Sequence, residues 1–325
     1  MTIRTPIGFF VFLALLMVWG CLRGPVSYTP RDYVVVTATA SDTLEGLAET
    51  YLNDSRKAWI IGDFNRIDTV SPGRCIIIPL TPFNLGGLTP DGCQLVPILA
   101  YDRLTEDPSG QGDTTELDFE GQMAYLRAGH YHVIGLARFL EFMNYNGQIP
   151  TRSVVITIDD TRLDAIERAL PVLKKYGFTA TLFVDTGKLG QPGMLTREDL
   201  VRLTKNGIDV QCRNGWDIDG AIETGQITLE QYFEQIRTEI PKARQTVEEI
   251  TAAPCIVYAC PPAGSNNLLV EFLKRTGFKA ALVTNGLANP FYTDPFHIGR
   301  TRIPPRCSVD DFEEKLMVFR TMDIK

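Results

Sequence analysis

Residues 153–161 read Ser-Val-Val-Ile-Thr-Ile-Asp-Asp-Thr, and this stretch constrains the fold more than any other. A run rich in β-branched residues passes straight into two adjacent carboxylates, Asp159 and Asp160, and a helical pattern begins near Leu163. A continuous apolar run of strand length, followed by a helix, marks a strand buried on both faces, as in parallel sheets. Such a strand delivers Asp159 and Asp160 at its C-terminal end, where parallel α/β folds keep their chemistry. The plainer alternative is an ordinary strand end at which Asp160 or Thr161 caps the next helix.

The pattern around this stretch repeats its logic. From residue 95 onward strand and helix signals alternate, with strands expected at 95–101, 154–158, 180–184, 208–212, 256–260 and 280–283. Helices are expected at 117–128, 136–145, 163–176, 197–205, 229–250 and 309–319. Alternation of this kind predicts a parallel α/β architecture, doubly wound or barrel. Residues 81–94 are rich in Pro, Gly and Asn without a hydrophobic period and read as a linker.

Residues 28–80 form a separate unit. A strand at 33–37 is followed by a helix opened by a capping box from Asp42 to Glu45, with Leu44, Leu47, Ala48 and Tyr51 on its apolar face. A second helix is expected over 56–64, then a Ser71-Pro72-Gly73 turn and a strand at 75–79, giving a βααβ order. Ahead of this unit, residues 1–21 combine Arg4, an apolar run from Ile7 to Trp19 and Gly20-Cys21, the pattern of an export signal. Val18-Trp19-Gly20-Cys21 resembles a bacterial lipobox, which makes Cys21 a lipidation site; an uncleaved signal anchor is the alternative. Both place the body of the chain outside the cytoplasm and tethered to a membrane.

A net charge of −7 with no basic stripe excludes a typical nucleic-acid binder. The six cysteines after Cys21 permit disulfides in an oxidising compartment without fixing a connectivity, and buried free thiols are the alternative.

Two family resemblances follow from these residues. In the N-terminal unit, Ser-Asp-Thr-Leu at 41–44, Asn65 and Ser-Pro-Gly-Arg-Cys-Ile-Ile-Ile-Pro at 71–79 resemble the LysM module, which implies binding of N-acetylglucosamine-containing glycans such as peptidoglycan. Residues 95–325 resemble the polysaccharide deacetylases of the NodB-homology type. The resemblance rests on Val96-Pro97-Ile98-Leu99-Ala100-Tyr101, the double-Asp strand, residues 169–184, Gly277-Phe278-Lys279-Ala280-Ala281 and Arg302-Ile303-Pro304-Pro305. It implies a distorted (β/α) barrel and removal of acetyl groups from N-acetylated sugars by a metal-activated water.

The resemblance assigns roles residue by residue. Asp159 takes the position of the catalytic base and Asp160 that of the Asp metal ligand, while the two His ligand positions fall on Arg213 and Asp217. A guanidinium has no lone pair to donate, so Arg213 cannot ligate a metal. The position of the acid His falls on Asp102, in Tyr101-Asp102-Arg103, and the third motif reads Cys260-Pro261-Pro262-Ala263-Gly264. The chain's three histidines, His130, His132 and His297, lie on no motif. The expectation is therefore a pocket of Asp160, Arg213, Asp217, Trp216, Tyr101, Pro261 and Gly264, with Trp216 and Tyr101 available to stack on a sugar. Arg213 is expected to replace the metal as a fixed cation, paired in bidentate fashion with Asp159 or Asp160.

The resulting expectation is a cell-envelope pseudoenzyme that binds peptidoglycan or another N-acetylhexosamine polymer and needs no cofactor. An alternative keeps an active N-deacetylase with altered metal chemistry, using zinc, or calcium or magnesium held by the carboxylates. Cys212 as thiolate ligand or nucleophile is a further option, and a role as regulatory subunit of a partner enzyme is another.

Overall fold

The computed structural model describes residues 31–106, 113–213, 225, 227–261 and 265–322. The chain divides into two compact units, residues 1–83 and 84–325.

In the N-terminal unit, strand β1 (Tyr33–Thr37) pairs antiparallel with β2 (Cys75–Pro79), and helices α1 (Leu44–Leu52) and α2 (Ala58–Asn65) lie between them in sequence. Alternate strand residues Val34, Val36, Ile76 and Ile78 meet Leu47, Ala48 and Ile61 in a small core. The cap of α1 differs from expectation: Thr43 accepts the Gly46 amide, while Asp42 turns back to the Thr39 amide and hydroxyl. Asn65 ties helix to strand. Its amide group donates to the carbonyls of Ile61 and Ile77, and its oxygen accepts the Ile77 N–H.

The larger unit is a closed barrel of seven parallel strands. These are β3 (Ile98–Tyr101), β5 (Ser153–Ile158), β6 (Thr181–Asp185), β7 (Asp209–Arg213), β8 (Val257–Ala259), β9 (Ala280–Thr284) and β10 (Ile298–Arg302). They neighbour one another in the order β5-β6-β7-β8-β9-β10-β3, and β3 closes the ring on β5. A short extra strand, β4 (His132–Val133), pairs parallel with the first residues of β5, Ser153 and Val154, ahead of Thr157 and Ile158, where β6 pairs. Helices α3 (Glu116–Ala128), α4 (Leu136–Met143), α5 (Leu163–Tyr176), α6 (Arg197–Lys205), α7 (Leu229–Thr251), α8 (Asn267–Arg275) and α9 (Val309–Glu314) complete the elements.

The expected parallel α/β barrel is thus observed. Strand β10 and helix α8, which the sequence pattern did not mark, complete it. The irregular segment is shorter than residues 81–94. Leu88–Thr89 and Gly92–Gln94 form an antiparallel pair that Phe319–Thr321 extends, and Cys93 and Gln94 are buried there. The expected helix at 309–319 stops at Glu314.

Side chains alternate across each barrel strand. Ile98, Val155, Phe183, Val257, Ala259, Ala280, Leu282 and Ile298 share one apolar cluster, distinct from the larger one that packs helices α5 to α8 against the strands. Two or four residues along from these inward positions lie Asp102, Asp159, Arg300 and Arg302.

Candidate functional site

At the C-terminal ends of β3, β5, β7 and β10, seven charged side chains meet, and Asp185 ends β6 in register with Arg213. Asp102 follows β3, Asp159, Asp160 and Arg162 follow β5, Arg213 ends β7, and Arg300 and Arg302 lie on β10. All six residues of β5 are buried, which fixes where its two carboxylates emerge.

The carboxylates are taken up by guanidiniums. Arg300 donates through Nη1 to Asp159 Oδ1 at 2.7 Å, and this pair is nearly dry, with side-chain exposures of 1% and 9%. The Arg300 guanidinium also sits 5.4 Å from the Phe183 ring centroid. Asp160 is held in a fork: Oδ1 accepts the main-chain N–H and Nε of Arg162 at 2.9 and 3.2 Å, and Oδ2 accepts Nη2 at 2.7 Å. Asp102 forms an ion pair with Arg302. Burial raises the Asp102 carboxyl above its ordinary value, Arg302 pulls it back, and the nearby Asp159 charge pushes it up again.

Arg213 behaves differently from the expectation. Its Nη1 donates to the main-chain carbonyl of Asp159 at 2.7 Å rather than to a carboxylate. The reason is that Arg300 and Arg162 already occupy Asp159 and Asp160. Neither Asp160 nor Thr161 caps α5, whose N-cap is Arg162; the Thr161 hydroxyl instead accepts the Asp185 N–H.

Other expected site residues are corrected by burial. Tyr101 is fully buried, donates its hydroxyl to Gln122 Oε1 and packs edge-on against Phe119, so it is a core residue that cannot stack on a sugar. Pro261 is likewise buried. A hydrogen bond with Cys255, together with burial, pushes the Cys212 thiol well up, which removes it as a nucleophile or thiolate ligand. The six cysteines of the described residues are free thiols, with only Cys75 exposed. His297 pairs with Asp294 at the surface. Trp216, Asp217, Gly264 and Cys21 lie outside the described residues.

A divalent metal, which the resemblance implies here, does not fit the residues present. One family ligand position carries Arg213, and the carboxylate of Asp160 has both oxygens engaged by Arg162. Asp102 and Asp159 are each tied to a guanidinium as well. Among the described residues, no cluster of three His, Cys, Asp or Glu side chains is placed to hold a metal.

The fold and the double-Asp strand define a class. Residues 146–281 match the family model of the polysaccharide deacetylases, so this stretch carries a polysaccharide-deacetylase-type domain. The chain is similar to the Bacillus subtilis (strain 168) protein YxkH, named as a candidate polysaccharide deacetylase, with 23% identity over 217 residues, 67% of this chain and 74% of that one. It is also similar to the poly-β-1,6-N-acetyl-D-glucosamine N-deacetylase of Staphylococcus aureus (strain MSSA476), with 32% identity over 99 residues, 29% of this chain and 34% of that one. That match spans about a third of the staphylococcal protein. The structure of the Streptococcus pyogenes deacetylase PplD in complex with acetate shares the fold, with a TM-score of 0.61 and 21% identity, covering 68% of this chain and 98% of that one.

Sequence reasoning missed Arg162, Arg300 and Arg302 as site residues. Arg162 carried a usable signal, since it closely follows the double Asp and can fold back on it.

Proposed function

We propose that the barrel is a glycan-binding pseudoenzyme, and that the whole chain is an exported, membrane-tethered protein of the cell envelope. It binds peptidoglycan or another N-acetylhexosamine polymer, with the LysM-like unit and the barrel acting on the same class of polymer. The observation that carries this reading is the pairing of Asp159 with Arg300 and of Asp160 with Arg162. A base whose carboxylate is paired with a buried guanidinium is a weakened proton acceptor, and a ligand carboxylate already neutralised by a guanidinium fork would hold a divalent cation against that positive charge. The glycan class is supported by the staphylococcal relative, whose name gives an N-acetylglucosamine polymer as substrate. The tether rests on residues 1–21 and Cys21.

The test is metal content by mass spectrometry on the full chain after equilibration with zinc, calcium and magnesium, with acetate release from chitin oligosaccharides and peptidoglycan fragments measured on the same sample. Sub-stoichiometric metal and no acetate above blank are expected. Stoichiometric metal with acetate release would restore the N-deacetylase and sink the pseudoenzyme reading.

A further inference from the structure

At the strand ends three carboxylates each take a guanidinium, and a fourth, Asp185, which ends β6 in register with Arg213, is paired with Lys188 and accepts the Gly187 N–H, so one guanidinium is left over. Asp102 takes Arg302, Asp159 takes Arg300 and Asp160 takes Arg162. Arg213 has no carboxylate partner among the described residues; the hydrogen bond it makes is the one from Nη1 to the Asp159 carbonyl. That bond anchors one corner of the guanidinium, and among the described residues the Nε and Nη2 donors of its fork meet no carboxylate. The residue is half-buried, at the end of β7 beside the inward-facing Asp159.

A partly desolvated cation without a counter-charge is costly to keep. The cost is recovered when a ligand supplies the missing anion, and a planar guanidinium fork fits a planar carboxylate in two-point fashion. We propose that Arg213 is the recognition residue for a carboxylate borne by a sugar, so the barrel takes an acidic hexosamine polymer, one with uronate or carboxyalkyl-ether groups, in preference to a neutral one. This rests on the glycan-binding reading of the barrel and names the ligand class for it. In place of a metal that would polarise an acetamide, the site presents a cation that pairs with an acid group.

The test uses the full chain and calorimetric titration with three probes: an oligosaccharide alternating N-acetylglucosamine and glucuronate, the same oligosaccharide with its carboxyls reduced to alcohols, and a chitin oligosaccharide. A charge-assisted fork predicts a preference of about tenfold or more for the carboxylated probe over its reduced form. That preference should shrink as salt rises from low to moderate concentration. In Arg213→Gln the preference for the carboxylated over the reduced probe should collapse, and Arg213→Lys should retain part of it. The comparison between carboxylated and reduced probes on the unaltered chain does not depend on either variant folding.

Equal binding of the carboxylated and reduced probes overturns the inference and leaves the glycan-binding reading standing. A preference that survives Arg213→Gln, with the variant's melting temperature unaltered, assigns the anion to another site and also overturns it. No binding of any probe removes both the inference and the reading it rests on. Acetate release accompanied by a carboxylate preference would remove only the pseudoenzyme reading.

Discussion

Asp159 is paired in a nearly dry site with Arg300, which reaches it from β10 past the intervening strand β3. Removing one partner of such a pair leaves an uncompensated buried charge, which typically costs about 3–5 kcal/mol. Arg300→Met is therefore expected to lower the unfolding free energy by about that amount, read by urea titration, and adding Asp159→Asn should recover much of it. A loss no larger than an exposed substitution gives would mean that the pair is solvated. Asp102 carries a second expectation. Its folded-state carboxyl is raised above the ordinary 3.8, so the folded protein binds this proton more tightly than the unfolded chain does. Stability from this group is present below 3.8 and is lost as pH rises through the raised value. The stability of Asp102→Asn relative to the unaltered protein should accordingly increase with pH across the window just above 3.8, in urea titrations at stepped pH. A flat difference would remove burial as the cause. The two adjacent carboxylates were legible in the sequence because they end a β-branched run that leads straight into a helical pattern. Arg300 was not, because an arginine reads as surface unless its partner, 141 residues earlier, is known.

Strand β10 shows the same limit for a whole element. Ile-Gly-Arg-Thr-Arg has a glycine and two charges in five residues, so neither a continuous apolar run nor a half-buried alternation marks it. Its place is set by neighbours: Arg300 by Asp159, and Gly299 by the space around it. A Cβ at Gly299 would lie 2.7 Å from the Leu287 carbonyl and 2.4 Å from Asn285 Oδ1, and the Gly299 N–H donates to Asn289. Gly299→Ala should therefore destabilise the barrel by about 1–3 kcal/mol, since a main-chain oxygen cannot step aside. Gly121, exposed on α3 with no atom within 4 Å of where an added Cβ would sit, is the control. There alanine should stabilise by about 0.5–1 kcal/mol, as expected in a helix interior. Thermal melts of the two variants should move in opposite directions, and a Gly299→Ala melt at or above that of the unaltered chain would remove the crowding argument. The helices over 163–176 and 197–205, by contrast, were legible to the residue, because each has a strong apolar face.

At the scale of the whole molecule the chain divides at residue 83, and the βααβ pattern closes on itself before the barrel strands begin. The cores are separate as well: Val34, Ile61 and Ile78 belong to one cluster, and every member of the two barrel clusters lies beyond residue 83. A unit this small buries a modest share of its apolar surface and is marginal by itself, whereas the closed barrel carries most of the buried side chains. Calorimetry of the full chain should therefore resolve two transitions, the larger belonging to the barrel. Unfolding enthalpy scales at about 0.7 kcal/mol per residue near 60 °C, so the smaller transition should be the weaker by several-fold. Deleting residues 31–83 should abolish the small transition and shift the large one by no more than a few degrees. A single transition that disappears altogether on deletion would show that the barrel needs the N-terminal unit to fold, and the two would then have to be treated as one cooperative body.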